Sequence, residues 1–232
     1  MSKALESQAF PRCVTSESAF APGTPRPIEL LIAVLGLLVL SPLLLVCVAL
    51  VALSSKGPIF FRQTRVGKNG KNFKLYKFRT MVAASTGLPI TAATDSRITK
   101  VGRVLRQWKL DELPELYNVL RGDMSFVGPR PEVPELVDFS NPAWDKILSV
   151  RPGITDPITL ILRNEEAVLA TVEDKESFYT EIIQPFKING YLSYLETRSV
   201  RSDIKILGRT ATAILMPARP SAMKRTEYSF PD

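Results

Sequence analysis

Leu110-Asp111-Glu112-Leu113-Pro114-Glu115-Leu116, followed by Gly122-Asp123-Met124-Ser125-Phe126-Val127-Gly128-Pro129-Arg130-Pro131, decides how this chain is read. Asp is a favoured N-cap, Glu suits a first turn and Pro is tolerated there, so the heptapeptide predicts a helix starting at Asp111. That helix is expected to run to about Leu120 and stop at Gly122. Capping alone accounts for both carboxylates. A chemical reading uses the same place differently. A helix N-terminus attracts phosphate, and Arg106 and Arg130, on either side in sequence, can neutralise phosphoryl oxygens. A carboxylate attacks phosphorus when cations or a divalent metal offset the like-charge repulsion. One carboxylate is then the nucleophile, and its neighbour orients a metal or handles a proton.

Moving towards the N-terminus, residues 97–108 predict a helix, with Ile98, Val101, Leu105 and Trp108 on one stripe. Pro58–Phe61 reads as a short strand, Gly67–Lys71 as a turn and Phe73–Met81 as a second strand. On that second strand Lys77 and Arg79 share a face, opposite Tyr76 and Phe78. Two such cations fit either an anion held between them or a solvated edge strand.

From Ile28 to Leu53 the chain is almost wholly apolar, and Glu29 is its only charge. As one helix this stretch would be roughly 39 Å long, against a bilayer core of about 30 Å. Pro42 lies near its middle and predicts a sharp kink, with the Ser41 hydroxyl available to a carbonyl freed there. Each half is then about 21 Å or less, too short to span alone. Lys3, Arg12 and Arg26 precede the segment, and Lys56, Arg62, Arg65 and Lys68 follow it. Basic flanks on both sides suit a re-entrant hairpin with both ends in the cytoplasm. A kinked transmembrane helix is the plainer alternative, because proline is common in those.

Towards the C-terminus, Val150–Asp156 reads as a rigid basic turn carrying Arg151, and Arg163 follows in a strand-like stretch. Arginines so far apart in sequence fit a convergent anion site or an ordinary solvated surface. Phe178–Ile183, Tyr191–Leu195 and Asp203–Leu215 show helical spacing, either as amphipathic helices at a membrane interface or packed on the core. The last stretch, 217–232, is a basic tail near anionic lipid. Residues 1–26, rich in Pro and Ser, read as a disordered arm or surface strap.

Composition narrows the chemistry. The 232 residues suffice for one domain with a substantial core plus appendages. A net charge of +7 favours phospholipid headgroups, nucleotides or nucleic acid as partners. There is no histidine, so His triads, His bases and His-ligated metals are excluded and any metal is held by oxygen. Only Cys13 and Cys47 occur, Cys47 within the apolar segment, which speaks against a disulfide framework.

These motifs together resemble the bacterial sugar transferases of the monotopic phosphoglycosyl transferase family. The resemblance is carried by Ser41-Pro42, Gln63–Gly67, Tyr76–Met81, Leu110–Leu116, Gly122–Pro131 and Val150–Thr155, in that order, over about residues 27–210. It implies an α+β, mostly helical, membrane-associated catalytic domain with a small sheet, preceded by a re-entrant helix kinked at Ser41-Pro42. The expected divisions are an arm at 1–26, the membrane helix at 27–56, a cytoplasmic catalytic domain with interfacial helices at 57–216, and the tail at 217–232. It implies Asp111 as nucleophile and magnesium ligand, Glu112 as its partner, and a cationic substrate site at Lys77, Arg106, Arg130 and Arg163. The strand and turn add Arg79 and Arg151 as candidates.

The implied reaction moves a sugar-1-phosphate from a UDP-sugar to polyprenyl (undecaprenyl) phosphate and releases UMP, with Mg2+. It is the first membrane step of exopolysaccharide, lipopolysaccharide, capsule or glycoconjugate assembly. The setting is the cytoplasmic face of the bacterial inner membrane, among phospholipids and downstream glycosyltransferases; nucleic acid is no partner, and a homodimer is left open. Larger members carry further transmembrane helices and a nucleotide-binding-like domain ahead of this core, so this chain resembles the minimal form. The alternative is a non-catalytic membrane-bound scaffold for glycan-assembly enzymes. One departure stands out. Many members continue after Val150–Thr155 with a Gly and, later, a Gly-Arg, whereas here Asp156-Pro157 follows and Leu162 precedes Arg163. The shape of the sugar pocket on that side is therefore left open.

Overall fold

Helix α1, Arg26–Ser54, opens a computed structural model that describes residues 20–82 and 92–215. Most of the predicted arm, Cys13 included, and the basic tail lie outside the described residues. The helical backbone continues through Pro42, the position at which a sharp kink was expected. Proline withholds the amide that would bond the Leu38 carbonyl, and the Ser41 hydroxyl donates to that same carbonyl at 2.7 Å. Among the described residues, α1 is the helix long and apolar enough to cross a membrane.

One face of α1 packs against the rest of the molecule, buried near the two ends and half-buried between them. Glu29, Ala33, Cys47 and Val51 are buried, and Gly36, Leu37, Leu40 and Leu44 between them are half-buried. The other face is apolar and exposed, with Leu38 and Val39 at 66% and 75% near the middle. Arginine fixes each end to the rest of the molecule. Arg26 donates to the Met124 carbonyl at 3.0 Å and to the Val119 carbonyl, and it pairs with Glu29 at 3.1 Å. Glu29 in turn accepts from the Phe126 amide at 3.3 Å. At the far end Arg79 donates to the carbonyls of Val51 at 3.1 Å, Ser55 at 2.5 Å and Pro58, satisfying carbonyls that a helix C-terminus leaves unpaired.

Two small two-stranded sheets follow. β1 (Phe60–Val66) and β2 (Asn72–Phe78) form an antiparallel hairpin, in register from Phe60↔Phe78 to Val66↔Asn72. The turn passes through Lys68–Gly70, where Asn69 takes the left-handed conformation at φ 58°. β3 (Ser125–Val127) pairs in parallel with β4 (Gly153–Thr155). A Cβ on Gly153 would sit 2.2 Å from the Gly128 amide nitrogen, so only glycine lets these two loops approach.

The helices are α2 (Lys100–Gln107), α3 (Glu115–Arg121), α4 (Pro142–Ile147), α5 (Pro157–Ile161), α6 (Glu165–Leu169), α7 (Lys175–Phe178), α8 (Gln184–Thr197) and α9 (Val200–Leu215). A π-helical turn, Tyr179–Ile183, joins α7 to α8. α2 is capped by Thr99, whose hydroxyl accepts from the Gly102 amide at 2.8 Å. α8 buries Phe186, Tyr191, Tyr194 and Leu195, so it packs as a core helix. α9 buries Asp203 and Ile206 and exposes Ile204 and Leu215. The short chain before α1 acts as a strap: Phe20 packs beside Tyr194 and Ile206, and the Thr24 amide donates to Asp203 at 2.9 Å.

Two expectations change here. The helix after the Asp-Glu pair starts at Glu115 rather than Asp111, because Leu110–Glu112 forms a separate 3-10 turn entered through Lys109 at φ 54°. The stretch before Arg163 is helical rather than strand-like. Asp156 caps α5 by accepting from the amides of Ile158 at 2.7 Å and Thr159 at 2.9 Å.

Candidate active site

A cleft of about 1290 Å³ opens between the hairpin, the 3-10 turn, α5, α6 and α9. Its lining includes Lys77, Arg79, Arg106, Lys109, Asp111, Glu112, Arg130 and Arg163. Asp111 is buried, and its Oδ1 has no hydrogen-bond partner among the described residues. It caps no helix. A buried, unpaired carboxylate oxygen costs free energy, so a site that keeps one is holding it for something else.

Glu112 is the opposite case. Its Oε1 is gripped by Lys77 Nζ at 2.7 Å and by Arg130 Nη2 at 2.5 Å. The same two cations stand 3.4 Å from Oε1 of Glu115, which is fully buried and lies one turn further along. Arg130 is itself aimed by the Ile154 carbonyl of β4, to which Nη1 donates at 2.7 Å. The close approach of Gly128 and Gly153 sets that distance.

Protonation follows from these contacts. Burial raises the Asp111 carboxyl above the usual carboxylate range, and the adjacent Glu112 charge adds to it; Lys77, Lys109 and Arg106 offset this only in part. Burial also works against ionised Glu112, but Arg130 and Lys77 outweigh it and hold that carboxyl far below its ordinary value. Glu115 is pushed up, first by burial, with the Glu112 charge adding to it against Arg130 and Lys77. The three carboxyls thus differ sharply: Glu112 is firmly ionised, while Asp111 and Glu115 hold protons more tightly.

The remaining predicted residues separate. Arg106 lines the cleft but is paired with Glu166, Nη2 to Oε1 at 2.5 Å and Nε to Oε2 at 3.2 Å, and reaches Thr80 at 3.3 Å. Arg163 lines the cleft just past α5. Arg79, although at the cleft wall, spends its guanidinium on the end of α1. Arg151 donates to the Gly122 carbonyl at 3.0 Å, at the end of α3. Its role there is to join the two halves of the β3–β4 sheet region.

Sequence reasoning gave no role to Glu115 or Asn118. Glu115 stands in the opening motif, one helical turn from Asp111, which is the signal that could have found it. Asn118 accepts from the Tyr76 amide at 3.1 Å and donates to the Lys74 carbonyl at 2.7 Å, tying α3 to the strand that carries Lys77. A further polar group lines the cleft: Lys187 lies 3.0 Å from Glu165 and 3.5 Å from Glu132, and Tyr179 donates to Glu132 at 2.8 Å. These partners come from far apart in the chain and have no local signature.

Among the described residues, no group of three or more His, Cys, Asp or Glu side chains is arranged to hold a metal. Magnesium does not require such a cage, since it is commonly held by one or two carboxylates plus substrate phosphates and water. The free Oδ1 of Asp111 fits that role.

A family model for bacterial sugar transferases matches residues 23–217. The chain is 36% identical over 195 residues to a UDP-glucose:undecaprenyl-phosphate glucose-1-phosphate transferase of Caulobacter vibrioides, covering 82% of this chain and 69% of that one. It is 35% identical over 208 residues to the exopolysaccharide production protein ExoY of Sinorhizobium fredii, covering 82% and 85%. It is also 35% identical over 195 residues to a UDP-N-acetylgalactosamine-undecaprenyl-phosphate N-acetylgalactosaminephosphotransferase of Aeromonas hydrophila, covering 82% of this chain but 43% of that protein. The chain belongs to the bacterial sugar transferase family, which makes it an enzyme.

Proposed function

We propose that this chain moves a sugar-1-phosphate from a UDP-sugar to a polyprenyl phosphate and releases UMP. The observation that carries the proposal is the buried, unpartnered Oδ1 of Asp111 in a cleft lined by Lys77, Arg106, Lys109, Arg130 and Arg163. The names of its relatives support the same substrates.

In this reading Asp111 gives up its proton to solvent water, and the resulting carboxylate attacks the sugar-bearing phosphorus. The bond from that phosphorus to the bridging oxygen breaks, and UMP leaves with the oxygen. The phosphosugar stays on Asp111 as an acyl phosphate. A phosphate oxygen of the polyprenyl phosphate then attacks the same phosphorus, and the Asp111 carboxylate leaves. Lys77 and Arg130, already poised on Glu112, supply charge to the phosphoryl oxygens. Because Glu112 is firmly ionised, its part is to hold those cations and raise Asp111 rather than to carry a proton. Magnesium, held by Asp111 with substrate phosphates, would supply charge compensation for the diphosphate beside two carboxylates.

The membrane reading accompanies it. Both ends of α1 are buried against the same globular body, while its middle is half-buried on that side and exposed and apolar on the other, which favours a re-entrant helix with both ends on the cytoplasmic face. The test is product analysis with UDP-sugars and polyprenyl phosphate in lipid nanodiscs. The expected result is about one equivalent of UMP per enzyme without lipid phosphate, and continued UMP release only when the lipid phosphate is present. Release of UDP, or no nucleotide from any UDP-sugar, refutes the proposal.

A further inference from the structure

The cleft that holds Asp111 is lined by charged and apolar side chains together, and α1 and α9 each contribute apolar ones. Leu40 of α1 lines it, next to the exposed Leu38 and Val39, and so do Leu207, Ala213 and Ile214 of α9. Each of these two segments is linked to the carboxylate cluster through neighbouring residues. On the α1 side Leu116 reaches Gly36, and it adjoins the buried Glu115. On the α9 side the Thr210 and Thr155 hydroxyls are 2.8 Å apart, and Thr155 follows Ile154, whose carbonyl aims Arg130. The nucleotide-sugar has no hydrocarbon to lay on such apolar side chains. An acceptor with an anionic head and a long apolar tail complements both kinds of lining at once. Leu40 is followed along α1 by the exposed apolar residues Leu43, Leu45 and Val46.

We propose, building on the transferase reading above, that the polyprenyl chain of the acceptor enters between the middle of α1 and the C-terminal half of α9. Its phosphate is thereby delivered to Asp111. Leu207, Ala213 and Ile214 then determine acceptor binding and leave the UDP-sugar untouched. α9 does this work from a fixed position, because Asp203 at its start is held by Thr24 and by Tyr194 at 2.8 Å.

The full chain in lipid nanodiscs tests this with Ala213→Trp and the milder Ile214→Gln. Each is expected to raise KM for a 55-carbon polyprenyl phosphate about tenfold, equivalent to lost contact with about two methylenes. KM for the UDP-sugar should stay within about twofold, and a ten-carbon acceptor should be affected less. An unchanged acceptor KM in both variants, or equal rises for both substrates, overturns the proposal. A readout independent of turnover is benzoylphenylalanine placed at Ala213. It should crosslink labelled polyprenyl phosphate in competition with unlabelled lipid, whereas the same probe at exposed Arg201 should not. Equal capture at both positions also overturns the proposal. Lipid capture by the probe at Ala213, together with no UMP release from the wild type, would instead refute the transferase reading alone.

Discussion

Replacing Arg130 by Met removes the charge but keeps much of the volume, and it strikes the most crowded set of charges in the molecule. Glu112 and Glu115 are then left with Lys77 alone, at 2.7 and 3.4 Å. Glu115 is completely buried, and the Glu112 side chain keeps 17% exposure. Removing one partner of a buried ion pair costs about 3–5 kcal/mol, because the stranded charge remains desolvated. For a domain of this size each kcal/mol lowers Tm by about 2–4 °C, so a fall on the order of 10 °C is expected. Without Arg130 the Glu112 and Glu115 carboxyls titrate higher in the folded protein. A carboxyl whose folded pKa lies above its unfolded value favours folding when protonated, so the deficit should be smaller at pH 5 than at pH 8. Adding Glu115→Gln removes the worse-placed charge and should recover part of the loss. Thermal unfolding in nanodiscs at a fixed scan rate measures all three. A fall below about 3 °C, a deficit that grows towards acid pH, or no recovery in the double variant would refute the reasoning.

Three further outcomes follow from the same geometry. Arg79→Ala should lower Tm by several degrees, since it leaves the carbonyls of Val51 and Ser55 without their donor, at about 1–3 kcal/mol for such losses, while KM for UDP-sugar changes little. Because Asp111 must lose a proton to act and burial holds that carboxyl up, the rate should fall with acid at a pH clearly above the ordinary carboxylate value of 3.8, as a kcat/KM profile would show. Changing Ser41-Pro42 to Ala-Leu should restore the amide bond to Leu38 and favour full spanning; a cysteine placed at exposed Pro22 should then become reachable from the periplasm, whereas in the parent protein it should stay unreachable.

Local features carried much of this fold in the sequence. The turn at Gly67–Lys71 marked the hairpin, Gly122 at φ 89° ended α3, and strand alternation set Lys77 on the face opposite Tyr76 and Phe78, where the structure pairs it with Glu112. The same alternation misplaced Arg79, because β2 ends at Phe78 and the rule lapses there. Asp, Glu and Pro at a helix start look alike whether they cap it or stand clear of it, so the 3-10 turn at Leu110–Glu112 was hidden. The β-branched run after Asp156 looks extended, yet that one side chain pins two amides and starts a helix. Pairings such as Arg106 with Glu166, or Lys187 with Glu132, depend on tertiary approach and leave no trace in local spacing.

The central claim is that Asp111 carries the phosphosugar. Intact-protein mass spectrometry after incubation with UDP-sugar, without lipid phosphate, tests it most directly. A mass increase of one phosphosugar is expected in the wild type, lost when polyprenyl phosphate is added. Asp111→Asn should show no adduct, turnover lower by at least about 1,000-fold, and an unchanged or higher Tm, since a buried unpaired charge is gone. An adduct that persists in Asp111→Asn, or no adduct in a wild type with strictly ternary kinetics, would contradict the account.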